Sequence, residues 1–258
     1  MVWTKKLHAN LKQKRKNMGP SLLLQRLRLR RSLRILPNIF TLGNAFFGFC
    51  SILSTAHGNF QIAAYFILFG ALMDALDGRI ARFAGTTSDL GMQLDSLCDG
   101  ISFILAPAIL MYSWQLHHIE VLGLIASAVY LSAGLLRLAR FNITHTEQKV
   151  YFVGMPTTLA GCFLAVLVLN SKNSIIPIQL ILPLLALVMT LGGLMVSSLR
   201  FPAFKKIKKS VFGLLAIFLC AGTIALGLVR VLLLLFVIYF IFTAFEIARF
   251  KIASYKNK

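Results

Sequence analysis

From residue 39 onward the chain is a series of long apolar runs separated by short polar segments. A helix rises about 1.5 Å per residue, so ~20 apolar residues cross the ~30 Å hydrocarbon core of a bilayer. Runs of this length are too long for strands. The pattern predicts membrane-spanning helices at about 39–56, 60–76, 90–114, 121–138, 151–169 and 175–197, with His57, Gly58 and Asn59 as the turn between the first two. Pro37 marks the start of the first helix, where its missing N–H costs nothing. The last apolar block, 211–250, is too long for one ordinary crossing and carries Arg230 near its middle. Two helices joined tightly at Arg230 satisfy both facts, whereas one long tilted helix would bury an arginine in lipid. The expected fold is therefore all-α, a polytopic membrane bundle of about eight transmembrane helices.

Composition agrees with this picture. Hydrophobic residues make up 58% of the 258, charged residues only 14%, and mean hydropathy is +0.79; a soluble domain carries about 25% charge. The net charge of +19 would point to nucleic acid in a soluble protein. Here the cations fall in the leader, the tail and short segments beside the spans, where an anionic membrane face accounts for them, so no nucleic-acid partner is expected. Residues 1–34 hold eleven Lys or Arg and no acid. They form a basic leader, whose leucine- and arginine-rich part, 21–35, is either an interfacial amphipathic helix or a disordered arm. The membrane domain then covers 35–250 and a basic tail 251–258. No signal peptide is expected, because the first apolar run follows the leader and lacks a small-residue cleavage site.

With eight spans, fourteen cations beyond the leader, from Arg79 to Lys258, share the side of the N-terminus, against Lys172 and Arg230 on the other. Short cytoplasmic loops collect Lys and Arg, and the inner leaflet is anionic. This places both termini in the cytoplasm, in a multi-pass protein of the cytoplasmic membrane that contacts anionic lipid; a homodimer is a compatible assembly. The four cysteines, Cys50, Cys98, Cys162 and Cys220, have no metal-site spacing and read as small apolar fillers. Trp114 and Tyr151 read as interfacial anchors.

The acids are placed unevenly. All five aspartates lie between 74 and 99, at the cytoplasmic ends of the second and third spans. Asp74 and Asp77 are three apart and Asp95 and Asp99 four apart, so each pair shares one helix face. A short connection, 79–89, lets the two helices pack antiparallel and the four carboxylates converge. Converging carboxylates repel one another, and divalent cations relieve the conflict. Oxygen ligands suit Mg²⁺ or Mn²⁺, and Mg²⁺ sites often share coordination with substrate phosphates. Two such ions could clamp the attacking and leaving oxygens of an in-line displacement. Gly78, Ala81 and Gly91 permit close approach to the backbone, and Arg82 offers a fixed fork for a phosphate. Asp89 lies outside the pattern and reads as a helix N-terminal residue. A cation- or proton-coupled transporter is the competing function, since intramembrane acids also line ion pathways. Against it, the acids cluster at one edge and do not recur at mid-membrane.

Asp74, Asp77, Gly78, Ala81, Arg82, Gly91, Asp95 and Asp99 stand at the spacing D-x2-D-G-x2-A-R-x8-G-x3-D-x3-D. This resembles the full motif of the CDP-alcohol phosphatidyltransferases. The resemblance implies transfer of a phosphatidyl group from a CDP-linked lipid to an alcohol, with release of CMP. It implies a site for two divalent cations on the four motif aspartates, with Asp99 also the general base. The segments "LPNIFTLGN", "LLRLARFN", "FVGMPTTLAG" and "MVSSLRFPAFK" look like the bacterial and archaeal phosphatidylserine synthases of that family, as do the eight spans. The implied substrates are CDP-diacylglycerol and L-serine, with a glycerol 3-phosphate acceptor as the alternative.

Outside the motif, Asn38, Thr41 and Asn44 form a polar stripe that could hydrogen-bond the cytidine or diphosphate of the CDP-lipid, or else cap and pack helices. Arg137 and Arg140, three apart at the end of the fourth span, read as an anion-binding pair for lipid phosphate or for the serine carboxylate, or as plain positive-inside charges. Arg200 is a further candidate for the same task. His117, His118 and His145 receive no role.

Overall fold

The structure is a computed structural model that describes residues 20–84, 89–143, 151–171, 180–197, 200–202, 230 and 234; for 20–37, 81–84, 151–153 and 200–202 only the backbone is described. The elements are α1 (Pro20–Ala56), α2 (Phe60–Ala84), α3 (Asp89–Asp99), a π-helical turn (Gly100–Leu105), α4 (Ala106–Trp114), a 3-10 turn (Leu116–Ile119), α5 (Glu120–Ile143), β1 (Tyr151–Val153), α6 (Thr157–Asn170), α7 (Ile181–Val196) and β2 (Arg200–Pro202). Helices dominate. The two three-residue strands form one antiparallel ribbon, with Phe152 opposite Phe201.

Among the described residues, four stretches are long and apolar enough to cross a membrane: Asn38–Ala56, Phe60–Ile80, Asp89–Trp114 and Leu116–Ile143. Thr157–Asn170 and Ile181–Val196 are shorter apolar helices. The first six predicted spans are thus present as helices. Of the block 211–250 only Arg230 and Leu234 are described, both helical and exposed; the rest, with residues 1–19 of the leader and the tail 251–258, lies outside the described residues.

The helices are apolar outside and partly polar inside, as a bilayer solvent requires. On α1, Ile39, Leu42, Phe46, Phe49 and Leu53 are exposed, while Thr41, Asn44, Gly48, Ser51 and Thr55 are buried. Both sets repeat at spacings of three and four, so they occupy opposite faces of one helix. The small inward residues let α2 pack closely along α1. The core lies where the π-turn, α4, α5, α6 and α7 meet, around Phe103, Ile104, Leu110, Tyr130, Leu164 and Leu191.

Several boundaries differ from the sequence reading. Pro37 does not start a helix, because α1 runs unbroken from Pro20. Leucine and arginine are strong helix formers, and they sustain the helix through a proline that removes one backbone bond. The connection after Asp77 is also mostly helix, since α2 continues to Ala84. The fifth span does not start at Tyr151. Tyr151–Val153 is strand β1, Gly154 turns with φ 79°, and extended Pro156 (ψ 135°) caps α6, which begins at Thr157. Trp114 is no interfacial anchor but a core residue, 5% exposed; the side chain of Tyr151 is outside the described residues. Asp89 does occupy the first turn of α3.

The antiparallel course of the helices brings chemically rich ends together. Thr41 and Asn44 of α1, the C-terminal half of α2, the N-terminus of α3, the C-termini of α5 and α7 and the start of α6 meet at one end of the bundle. Cross-links described below join them.

Candidate active site

Asp74 of α2 and Asp95 and Asp99 of α3 each bring a carboxylate oxygen within 4.8 Å of the other two. Helix periodicity explains the α3 pair, since Asp95 and Asp99 are one turn apart and both face α2. Asp77 lies beside this group but outside it. Its carboxylate is 5% exposed and accepts a 2.8 Å hydrogen bond from Thr41 Oγ1. Asn44, fully buried one turn further along α1, donates from Nδ2 to Asp99 Oδ1 at 3.1 Å. The polar stripe predicted on α1 therefore holds two of the four carboxylates in place. Asn38, one turn earlier, is half-buried.

This arrangement is suited to a cation. Asp95 Oδ1 is buried with no hydrogen-bond partner. A buried orphan acceptor costs ~1–3 kcal/mol, more if charged. Three acceptor-only groups from two helices at this separation repel one another at low dielectric. Oxygen donors of this kind fit a hard divalent cation. Among the described residues, no atom lies within 4 Å of where a Cβ on Gly78 would stand, which leaves room for a ligand on that side of the helix. The side chains of Ala81 and Arg82 lie outside the described residues, although both positions are helical.

The two predicted arginines separate in role. Arg137 Nη1 donates to Thr157 Oγ1 at 2.9 Å, its guanidinium stands 5.9 Å from the Phe141 ring centroid, and its Nε is buried without a partner. It also lies within electrostatic range of Asp99. Arg140, three residues on, donates to the carbonyls of Val196 at 3.1 Å and Ser197 at 3.3 Å. Those carbonyls end α7, so Arg140 supplies the cation that a helix C-terminus favours. The Arg200 backbone lies in β2, paired with Val153; its side chain is outside the described residues.

Several functional contacts were not singled out from the sequence. Thr157 is 1% exposed and receives Arg137. Ser102 Oγ donates to the Asn44 carbonyl at 2.8 Å, bracing the residue that holds Asp99. Ser96 Oγ donates to Asn142 Oδ1 at 2.9 Å, and Asn142 Nδ2 to Gln93 Oε1 at 3.3 Å, tying α3 to the end of α5. Thr157 stands in the "FVGMPTTLAG" segment, which was the available signal. Ser102 carried none.

A family model described as CDP-alcohol phosphatidyltransferase matches residues 34–192. The chain belongs to this family. The match takes in α1 from Arg34, the whole aspartate cluster and most of α7. Among curated proteins, the CDP-diacylglycerol–serine O-phosphatidyltransferase of Helicobacter pylori (strain ATCC 700392 / 26695) is 36% identical over 191 residues, 72% of this chain and 81% of that protein. The protein of the same name from Bacillus subtilis (strain 168) is 35% identical over 173 residues, 66% of this chain and 92% of its own length. That from Methanocaldococcus jannaschii is 35% identical over 176 residues, covering 68% and 79%. In this CDP-alcohol phosphatidyltransferase the motif residues Asp74 to Arg82 lie on α2, and Gly91, Asp95 and Asp99 on α3.

Proposed function

We propose that the chain transfers the phosphatidyl group of CDP-diacylglycerol to the hydroxyl of L-serine, forming phosphatidylserine and releasing CMP. The convergence of Asp74, Asp95 and Asp99 carries this reading, and the names of the curated relatives supply the acceptor. Asp74, Asp77, Asp95 and Asp99 would hold two divalent cations, Mg²⁺ or Mn²⁺. When bound, such ions neutralise diphosphate charge and favour in-line displacement at phosphorus.

The chain's own groups divide the remaining work. The lipid's acyl chains lie against the exposed apolar faces of α1 and α2, with its head toward Gly78, Gly91 and Arg82. Thr41 and Asn44 fix the orientation of Asp77 and Asp99. Asn44 occupies Oδ1 of Asp99, and the other oxygen takes the proton from the serine hydroxyl. The serine oxygen then bonds to the phosphorus bearing diacylglycerol as the bond from that phosphorus to the CMP oxygen breaks. A positioned base contributes ~100- to 10,000-fold to such a step. Arg137, with its unpartnered Nε, is the receptor for the serine carboxylate, and Thr157 sets its pose. Arg140 serves instead as the cap of α7. The excess of cations in the sequence segments on the aspartate side supports a site at the cytoplasmic face of the cytoplasmic membrane.

The acceptor is tested by supplying purified protein with CDP-diacylglycerol and one alcohol at a time, measuring CMP and the lipid formed. Phosphatidylserine from serine is expected. Product from glycerol 3-phosphate with none from serine would overturn the acceptor and leave the reaction class standing.

A further inference from the structure

Immediately below Asp99 the third span leaves α-helical geometry. The Ala106 N–H donates to the carbonyl of Ile101, five residues back, across the π-turn Gly100–Leu105. The sequence supplies a cause. In an α-helix the Phe103 carbonyl takes its hydrogen bond from residue 107, and residue 107 is a proline without an N–H. The Phe103 carbonyl receives a replacement donor from another helix. Tyr130 of α5, fully buried, donates its hydroxyl to Phe103 O at 3.0 Å. Two glycines let neighbouring helices close on the same turn: a Cβ on Gly161 of α6 would stand 2.9 Å from the Phe103 Cα and O, and one on Gly48 of α1 would stand 2.8 Å from the Ser102 Cα.

A π-turn takes up one residue more than an α-turn. Relative to an uninterrupted α-helix it rotates everything above it by about 100° and slides it by about 1.5 Å. Everything above it here includes Asp95 and Asp99. Ser102, within the turn, also braces Asn44, which donates to Asp99.

We propose that Pro107 and Tyr130 are positioning residues for the carboxylate cluster: the proline denies Phe103 its α-helical partner, the Tyr130 hydroxyl satisfies the carbonyl so exposed, and the resulting π-turn aims Asp95 and Asp99 at Asp74. Neither residue touches the reacting atoms. The proposal rests on the cluster being a divalent-cation site, and it adds what sets the cluster's rotation.

The test is a double-mutant cycle read by Mn²⁺ affinity. Full-length protein, Tyr130→Phe, Pro107→Ala and the double variant are purified in detergent and titrated with Mn²⁺ alone, following free Mn²⁺ by electron paramagnetic resonance. Tyr130→Phe is expected to weaken Mn²⁺ binding about tenfold, the low end of the effect of losing a group that orients metal ligands. Pro107→Ala restores an N–H, lets the α-helical form compete, and is expected to weaken binding several-fold on its own. Adding Tyr130→Phe to it should cost less than about twofold, because the backbone N–H restored by Pro107→Ala now serves the carbonyl that the phenol served. Equal effects of Tyr130→Phe in both backgrounds, including none in either, overturn the proposal. A merely structural tyrosine would lower the thermal midpoint of metal-free protein without moving Mn²⁺ affinity. Should Tyr130→Phe fail to fold, wild-type affinity in Pro107→Ala overturns the claim by itself. Absence of Mn²⁺ binding by the wild type would sink the cation reading and this proposal together; binding with equal effects sinks the proposal alone.

Discussion

Replacing Thr41 by valine removes one hydroxyl and keeps the side-chain shape. The lost bond is specific: Oγ1 donates to the Asp77 carboxylate at 2.8 Å, with Thr41 and Asp77 only 4% and 5% exposed. A hydrogen bond to a charged group contributes about 1.5–3 kcal/mol, and here water has little access to replace it. Each ~1.4 kcal/mol is a factor of ten in an equilibrium constant, so the geometry that Thr41 maintains should become roughly 10- to 150-fold less favourable. If that geometry is the cation-binding one, the loss appears as a rise in the Mg²⁺ or Mn²⁺ concentration giving half-maximal CMP release. Much of the maximal rate should return at high metal, because the valine variant retains every carboxylate. Thr41→Ser, which keeps the donor, should restore most of the affinity. The assay is CMP release from CDP-diacylglycerol across a metal titration, with circular dichroism to confirm helix content. An unchanged metal requirement in Thr41→Val, or an equal defect in Thr41→Ser, would refute the idea that the hydroxyl matters through Asp77.

Other expectations follow from named contacts. Arg140→Gln should lower the thermal midpoint, because two charge-assisted bonds to the end of α7 are lost or weakened; an unchanged midpoint in a melting assay would contradict the capping role. Arg137→Gln should raise the serine KM by tenfold or more, since a buried carboxylate left without its cation costs several kcal/mol; an unchanged KM would remove Arg137 from the acceptor site. Gly161→Ala should destabilise the protein by ~1–3 kcal/mol through overpacking against the π-turn, measured by thermal or denaturant unfolding in detergent. Removing residues 1–19 should leave CMP release in detergent largely intact, since their basic residues act chiefly on anionic membranes, at about 1 kcal/mol each; loss of turnover there would make the leader part of the site.

The aspartate cluster was legible because charge is costly in hydrocarbon, so acids at fixed helical spacings within apolar runs point to a site. The inward face of α1 was legible for a related reason: Thr41 and Asn44 stand on one stripe, although which atoms they would serve depended on where α2 and α3 arrive. Arg137 and Arg140 could not be separated in sequence. They are three apart on one helix, and only the positions of Thr157 and of the end of α7 distinguish an arginine that bonds the start of α6 from one that caps α7. The β1–β2 ribbon was hidden because its strands are short and far apart in sequence. Tyr151 pairs with the distant Pro202 at one end and Val153 with Arg200 at the other, which leaves no local signal. Pro107 pointed locally to a break in the hydrogen-bond ladder, but the donor that resolves it, Tyr130, lies 27 residues from Phe103.

The central claim is that the Asp74, Asp95 and Asp99 carboxylates form the working site of a phosphatidyl transfer. The most direct measurement is CMP released by purified protein from CDP-diacylglycerol and serine with Mg²⁺ or Mn²⁺, set beside the same protein in EDTA and beside Asp95→Asn. Release is expected from the wild type, none in EDTA, and none from Asp95→Asn that is still folded and inserted. Full CMP release from Asp95→Asn, or a wild type that moves cations across liposomes and releases no CMP, would contradict it.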